Sequence, residues 1–186
     1  MRIVGGRHRG RRLAAPPGRS TRPTSDRARE SLFNILAHGD VGGVVEGARV
    51  LDAFCGSGAL GLEALSRGAS HVVLMDNDGA AMAAAQDNAG ALDEETHVTC
   101  LPRDAVNPPR AEKPCGLVFL DPPYGGGLGE KALTALSTQG WLAPGALCVM
   151  ETAKDEAFAP PPGFTILKER QVGAARFHIL RYEGAA

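Results

Sequence analysis

The sequence lacks any long apolar run, because no stretch approaches the roughly 20 residues that a membrane-spanning helix needs. The opening segment MRIVGGRHRGRR is basic but has no apolar segment behind it, so no secretory signal is expected. Paired cysteines of the Cys-x-x-Cys type are also lacking. The four single cysteines favour reduced, buried thiols in a cytoplasmic protein, and no metal site is predicted.

Lysine is scarce, with four residues against 16 arginines, and the arginines are unevenly placed. Residues 1–30 hold nine arginines and two acids, a net charge of +7, whereas the other 156 residues have a net charge of −8. A basic arm on an acidic body favours a polyanionic partner such as RNA, although a solvated tail with an arginine bias is the alternative. The arginines predicted to bind RNA are Arg2, Arg7, Arg9, Arg11, Arg12, Arg19, Arg22 and Arg27.

The length of 186 residues suits one main domain with a small extension. Residues 1–40 are predicted to be the extension and 41–186 the main domain. Apolar pairs within 2–15, with glycines between them, predict a short β-hairpin.

A helix is predicted to begin near Asp26, after a cap at Ser25 or Thr24, and to stop at Gly39. Near its start, Arg22 and Arg27 are placed to reach a substrate. The acids Asp26 and Glu30 are equally able to hold these arginines in salt bridges, so both alternatives stay open.

From residue 49 onward the pattern alternates between strands and helices. This alternation predicts an α/β fold with a mostly parallel, doubly wound sheet that is covered on both faces. Two final strand-like runs have only four residues between them, which allows antiparallel pairing alone and so predicts a hairpin at the sheet edge. The predicted strands are 49–54, 71–75, 97–101, 116–120, 146–150, 164–170 and 175–182, and the predicted helices are 60–67, 80–92 and about 130–137.

A glycine loop, GSGALG at 56–61, lies between the first strand and its helix. Asp76 follows the second strand, 20 residues past Gly56, where a carboxylate can accept the hydroxyls of a ribose. Asp52 stands just before the loop, and its charge favours a cationic ligand such as S-adenosylmethionine over a dinucleotide pyrophosphate. Asp104, after the third strand, is placed to accept from an adenine amino group. The alternative is that the glycines only form a tight turn that needs small residues, and that Asp76 is an ordinary surface acid.

The stretch DPPY, Asp121 to Tyr124, ends the fourth strand and is followed by three glycines. An exocyclic amino nitrogen is a poor nucleophile because its lone pair is delocalised into the base. The Asp121 carboxylate and the Pro122 carbonyl can accept its two hydrogens, while Pro123 stiffens the loop and Tyr124 offers a ring for stacking. The glycines would then let the loop admit a base. The alternative is a proline-rich turn with a packed tyrosine.

These motifs resemble class I S-adenosylmethionine-dependent methyltransferases, and nearly the whole chain is similar to the bacterial 16S ribosomal RNA guanine-N2 methyltransferase family. The segments that carry the resemblance are MRIVGG, GRRL, RPTSDRARESLFNIL, GSGALGLEALSRGA and DPPY. The resemblance implies a seven-stranded sheet, S-adenosylmethionine as cofactor, 16S RNA (free or within a small subunit) as partner, and catalysis at Asp121, Pro122, Pro123 and Tyr124. The cofactor contacts are expected at Asp52, Phe54, Gly56, Ser57, Gly58, Asp76, Asn77, Asp104 and Ala105. Two residues depart from the family pattern: Asp76 stands where glutamate is usual, and Cys55 replaces a small residue.

Three other functions stay open at this point. A DNA amino-methyltransferase would use the same chemistry but needs a target-recognition segment for which the chain has no room. A nicotinamide oxidoreductase is disfavoured by Asp52, and a non-catalytic RNA-binding protein would retain only the fold. A cytosine-C5 methyltransferase, by contrast, is disfavoured, because it needs a nucleophilic cysteine and the DPPY loop has none. The modified nucleotide and the oligomeric state are not indicated.

Overall fold

A computed structural model describes residues 1–16, 25–38 and 41–184 of the chain. The predicted cap at Thr24, the predicted helix stop at Gly39, and Arg19 and Arg22 lie outside these ranges. Within them, no helix combines the length and apolar character needed to cross a membrane.

Seven strands form one sheet in the order β3-β2-β1-β4-β5-β7-β6. Strands β1 to β5 are mutually parallel, and β7 pairs antiparallel with both β5 and β6. The predicted fold class, including the antiparallel hairpin at the edge, is confirmed. The strands are β1 Arg49–Ala53, β2 His71–Asp76, β3 Val98–Pro102, β4 Cys115–Leu120, β5 Leu142–Ala153, β6 Phe164–Val172 and β7 Ala175–Tyr182.

Four helices accompany the sheet within the described residues: α1 Asp26–Ala37, α2 Ala59–Ser66, α3 Gly79–Ala91 and α4 Leu128–Thr138. Helices α2 and α3 pack on one face of the sheet together with α1, where the rings of Phe33 and Phe119 lie 5.6 Å apart. Helix α4 covers the other face with Trp141. The crossover 103–114 contains no helix, in agreement with the prolines that interrupt it.

Strand β5 is much longer than the predicted run 146–150. Pro144 and Gly145 suggest a turn, yet the strand continues through them because the register shifts between Cys115 and Leu117 of β4. At its other end, β5 extends past Met150 because β7 pairs with it as far as Ala153. Neither cause is visible in the local pattern.

The N-terminal arm, defined as residues 1–16, is attached to the main domain. The predicted hairpin is reduced to one bridge between Arg2 and Arg12 with a few backbone hydrogen bonds beside it. Ile3 is buried in the same core as α2 and α3. Gly6 has a φ of +74°, and a Cβ there would collide with the carbonyl oxygen of Ser66 at the end of α2. The arm and the sheet therefore share one core, while the domain boundary at residue 40 stays a prediction.

Helix α1 starts as predicted, because the Ser25 side chain accepts a hydrogen bond from the backbone N–H of Ala28 at 3.2 Å. It ends at Ala37, and His38 has an extended backbone.

The attachment of the arm can be tested by the substitution Ile3→Ala. Ile3 is 1% exposed, so the truncation should lower the free energy of unfolding by about 2–4 kcal/mol. Urea unfolding measures this loss, and Val4→Ala, at a half-buried site on the same arm, is the control with the smaller expected effect. An unchanged unfolding midpoint for Ile3→Ala would mean that the arm contributes nothing to the core.

Candidate active site

A cavity of about 540 Å³ lies at the carboxyl ends of β1, β2 and β4. The crossovers after β1 and β4 run to opposite faces of the sheet, so a crevice opens between these neighbouring strands, as in other doubly wound sheets. The volume is within the range of small-molecule sites, roughly 300–1,000 Å³. The predicted site residues that line the cavity are Asp52, Phe54, Gly56, Ser57, Asp76, Asn77, Asp104, Asp121, Pro122, Pro123 and Tyr124. The structure thus brings both predicted motifs into one cavity.

Two predicted cofactor residues, Gly58 and Ala105, do not line the cavity. Gly58 caps α2 with a φ of +78°, in the left-handed region that glycine adopts easily. Ala105 is 2% exposed and belongs to the core behind the cavity. A direct cofactor contact at either residue stays a prediction.

The glycine loop is held by Asp76. One Asp76 oxygen accepts from the N–H of Gly56 at 2.9 Å, and the other accepts from the N–H of Asp78 at 3.0 Å. Phe54, which precedes the loop, has a φ of +65°, a conformation that is rare for a bulky residue. The shorter acid at position 76 therefore reaches the loop backbone, and its carboxylate lies at the cavity wall.

Asp52 is buried, with 1% exposure, and accepts from the N–H of Gly61 at 2.8 Å. Burial raises the pKa of Asp52 to about 7; the Gly61 hydrogen bond opposes this shift and the nearby charge of Asp76 adds to it. The negative charge expected at this position therefore depends on pH near neutrality. A cation in the cavity would favour the ionised form.

The DPPY loop follows β4 and lines the cavity. Among the described residues, its tyrosine is the one large hydrophobic side chain that is exposed. Tyr124 is 54% exposed, and its hydroxyl donates to Glu151 at 3.1 Å. The three glycines 125–127 all have left-handed φ angles between 62° and 86° and lead directly into α4. Their predicted mobility stays a prediction.

The predicted RNA-binding arginines do not all have the same surroundings. Arg2 pairs with Asp26 at 3.0 Å and Arg7 pairs with Glu94 at 2.6 Å, whereas Arg11 donates to the carbonyl of Ala91. Of the predicted arginines that the structure describes, Arg9, Arg12 and Arg27 are exposed and have neither an ion pair nor a side-chain hydrogen bond to another described residue.

Several residues that sequence reasoning missed also contribute to the site. Met1, Pro16 and Arg29 line the cavity. Arg29 is 1% exposed and donates to the backbone oxygen of Arg2 at 2.6 Å. The arm therefore forms part of the cavity wall, which no local motif indicates.

Asn88 connects the arm to the glycine loop. It is 2% exposed, accepts from the Ala14 N–H at 2.8 Å, and donates to the carbonyls of Ala14 at 3.0 Å and Ser57 at 2.9 Å. Helix α3 is otherwise rich in alanine, and Asn88 is its polar contact to both the arm and the glycine loop.

The fold and the cavity have the features of class I methyltransferases. The sheet has seven strands, with one antiparallel strand inserted next to the edge, and the crevice is of ligand size and has acids after successive strands. The more specific assignment comes from comparison. The model of the family described as "Conserved hypothetical protein 95" matches residues 1–181, and the chain belongs to this family.

Curated relatives and a solved structure agree with that assignment. "Ribosomal RNA small subunit methyltransferase D" of Escherichia coli (strain K12) is 37% identical over 186 residues, which cover 98% of this chain and 90% of that protein. The protein of the same name from Haemophilus influenzae is 34% identical over 183 residues, with 96% and 92% covered. The solved structure of yhhF from Escherichia coli matches with a TM-score of 0.84 at 35% identity, over 100% of this chain and 99% of that chain.

The role of Asn88 can be tested by the substitution Asn88→Ala. Loss of the amide leaves backbone groups of Ala14 and Ser57 without their partner, which should lower the free energy of unfolding by about 2–3 kcal/mol. Hydrogen exchange should increase at the amides of residues 13–15 and of the glycine loop. Gln86→Ala, at an exposed position of the same helix, is the control. Equal exchange in the two variants would show that Asn88 does not hold the arm.

Proposed function

We propose that this protein transfers a methyl group from S-adenosylmethionine to the exocyclic N2 amino group of a guanine in 16S ribosomal RNA. The observation that carries the proposal is the shared cavity: the Asp121–Tyr124 loop after β4 and the glycine loop with Asp52 after β1 line the same space. The names of the full-length relatives support ribosomal RNA of the small subunit as the substrate. A ribosomal substrate also agrees with the predicted cytoplasmic location.

The acids of the cavity suit a cationic nucleoside. Asp52 precedes the glycine loop and lines the cavity, so it would face a cationic group, while Asp76 and Asn77 would hold a ribose and Asp104 an adenine amino group. The Asp104 carboxylate is fixed by the N–H of Val106 at 3.0 Å. When bound, S-adenosylmethionine supplies an electrophilic methyl group on a sulfonium.

On the other side of the cavity, Asp121 and the Pro122 carbonyl would accept the two hydrogens of the target amino group. This directs the nitrogen lone pair toward the methyl group and lets Asp121 take a proton once the nitrogen has been alkylated. Tyr124 would stack on the base, worth about 1–3 kcal/mol. Because methyl transfer from a sulfonium needs little acid–base help, positioning supplies most of the rate enhancement.

Guanine is the base whose amino group and neighbouring ring N–H form a continuous row of donors. Carboxylates and a carbonyl, which only accept, match that row. Adenine and cytosine present a ring acceptor beside the amino group, and a carboxylate would repel it. This complementarity supports guanine-N2 over the adenine or cytosine amino group. A DNA amino-methyltransferase is the second candidate, because the full-length relatives are named for ribosomal RNA.

The arm is the proposed RNA-binding surface. Arg2 and Arg7 are held in ion pairs, so the exposed Arg9, Arg12 and Arg27 are the stronger candidates, with Arg11 beside them. Arg19 and Arg22 belong to the same proposal from the sequence alone. Six phosphate contacts would give a slope of about −4 for log affinity against log salt on single-stranded RNA.

The proposed chemistry predicts the behaviour of Asp121→Ala. Transfer of labelled methyl to 16S RNA or small subunits should fall by at least about 100-fold, because a preorganised acceptor is lost. Dissociation constants for RNA and S-adenosylmethionine should change less than about threefold. Asp155→Ala removes an exposed carboxylate and is the control. Nucleoside analysis of the product identifies the modified base.

Two outcomes would contradict the proposal. A wild-type protein that binds RNA without any turnover would be a non-catalytic binder. Methylation of a base other than guanine would retain the reaction but reject the specificity.

The buried Asp52 predicts that cofactor affinity depends on pH. Its pKa of about 7 lies above the ordinary value, so a cationic ligand must expel a proton when it binds at acidic pH. The affinity for S-adenosylmethionine should therefore rise by up to about tenfold per unit from about pH 5.5 to 7 and level off above. Calorimetry should show that the affinity for 5′-methylthioadenosine, which is neutral, does not change with pH. In Asp52→Asn the affinity for S-adenosylmethionine should lose its pH dependence as well.

A further inference from the structure

Tyr124 lines two spaces of very different size. The first is the main cavity of about 540 Å³. The second is a small cavity of about 10 Å³, which Glu151, Thr152 and Phe158 also line. A volume of that size holds about one water molecule and is far too small for a nucleobase.

Glu151 lines the small cavity and is held in place by the sheet. It is 4% exposed, and its backbone pairs with Phe177 of β7. The preceding residue, Met150, pairs with Leu120, the last residue of β4. This register sets Glu151 beside the DPPY loop, where its carboxylate accepts from the Tyr124 hydroxyl at 3.1 Å.

A second carboxylate fixes the same loop by its backbone. Glu156 accepts from the N–H of Gly125 at 3.0 Å and from the N–H of Ala153 at 3.3 Å. The loop backbone is thus attached to the end of β5 independently of the tyrosine side chain. The hydrogen bond to Glu151 restrains what remains, namely the orientation of the exposed ring.

We propose that Glu151 is a positioning residue, which holds the Tyr124 ring in the orientation that stacks on the target base. It acts through the phenol hydroxyl and does not touch the base, because the space beside it admits none. The proposal rests on the proposed function of the DPPY loop. It also explains why a buried carboxylate directly follows the apolar run 146–150 of β5.

A double-mutant cycle tests the pathway through the hydroxyl. Glu151→Ala and Tyr124→Phe should each lower kcat/KM for the RNA by about tenfold, and the double variant should lose no more than either single variant. The dissociation constant of S-adenosylhomocysteine should stay the same in all of them. Glu151→Gln should retain activity within about threefold, because an amide oxygen accepts the same hydrogen bond. Asp155→Asn, on the adjoining exposed segment, is the matched control.

A second readout does not depend on turnover. The chain contains two tyrosines, so protein labelled with 3-fluorotyrosine gives two fluorine resonances, and Tyr124→Phe assigns them. Glu151→Ala should shift or broaden the Tyr124 resonance and leave that of Tyr182 unchanged, whereas Glu151→Gln should leave both in place. If the wild type methylated no RNA, the proposed function would fail, and this spectrum would still decide whether Glu151 fixes the ring.

Three results would overturn the proposal. Losses that multiply in the double variant would show that Glu151 acts on the base by another route. A loss for Glu151→Gln as large as that for Glu151→Ala would show that the charge matters and not the hydrogen bond. An unchanged Tyr124 resonance in Glu151→Ala would show that the ring needs no support; if that variant fails to fold, Glu151→Gln and Tyr124→Phe still supply the comparison.

Discussion

The parallel pairing of β1 with β4 is the contact on which the site depends. Asp52 pairs with Phe119 and Ala53 with Leu120, so the glycine loop and the DPPY loop leave the sheet at the same level. The two strands are separated by 61 residues of chain between Ala53 and Cys115, and the intervening units pack on one face while α4 packs on the other. A crevice between such strands needs no side chain to open it, because the backbone turns away on both sides. The proposed cofactor, S-adenosylmethionine, and the target base would meet in this crevice.

Sequence-based predictions of the fold were correct where the signal lies in residues that are close together along the chain. The apolar runs predicted the strands, the short connection after residue 170 predicted the antiparallel hairpin, and Ser25 was one of the two predicted caps. The two motifs of the cavity were identified because each combines a strand end with residues of special backbone geometry. The extent of β5 was underestimated because it is determined by partners on β4 and β7 and not by its own residues.

Residues that act over long sequence separations could not be predicted. Asn88 looks like an ordinary polar residue of an alanine-rich helix until Ala14, 74 positions away, is brought against it. Glu151 looks like the solvent end of a strand until the Tyr124 hydroxyl meets it. In the same way, the charge of the arm predicted a binding surface but not its packing: Ile3 and Leu13 of the arm are buried, and the buried Arg29 of α1 donates to the backbone of Arg2. Charge is a property of composition, whereas burial is a property of the assembled core.

The three glycines that follow Tyr124 all have a left-handed backbone conformation, and this restricts which residues can occupy these positions. Gly125, Gly126 and Gly127 turn the chain in the left-handed sense before α4 begins, and a Cβ at the first two would meet no neighbouring atom. Space is therefore not what reserves these positions for glycine; the mirror-image backbone is. A D-amino acid has the backbone preference that this segment requires, whereas an L-residue is strained there, so a chemically synthesised chain with D-alanine at one of these positions would favour the observed turn.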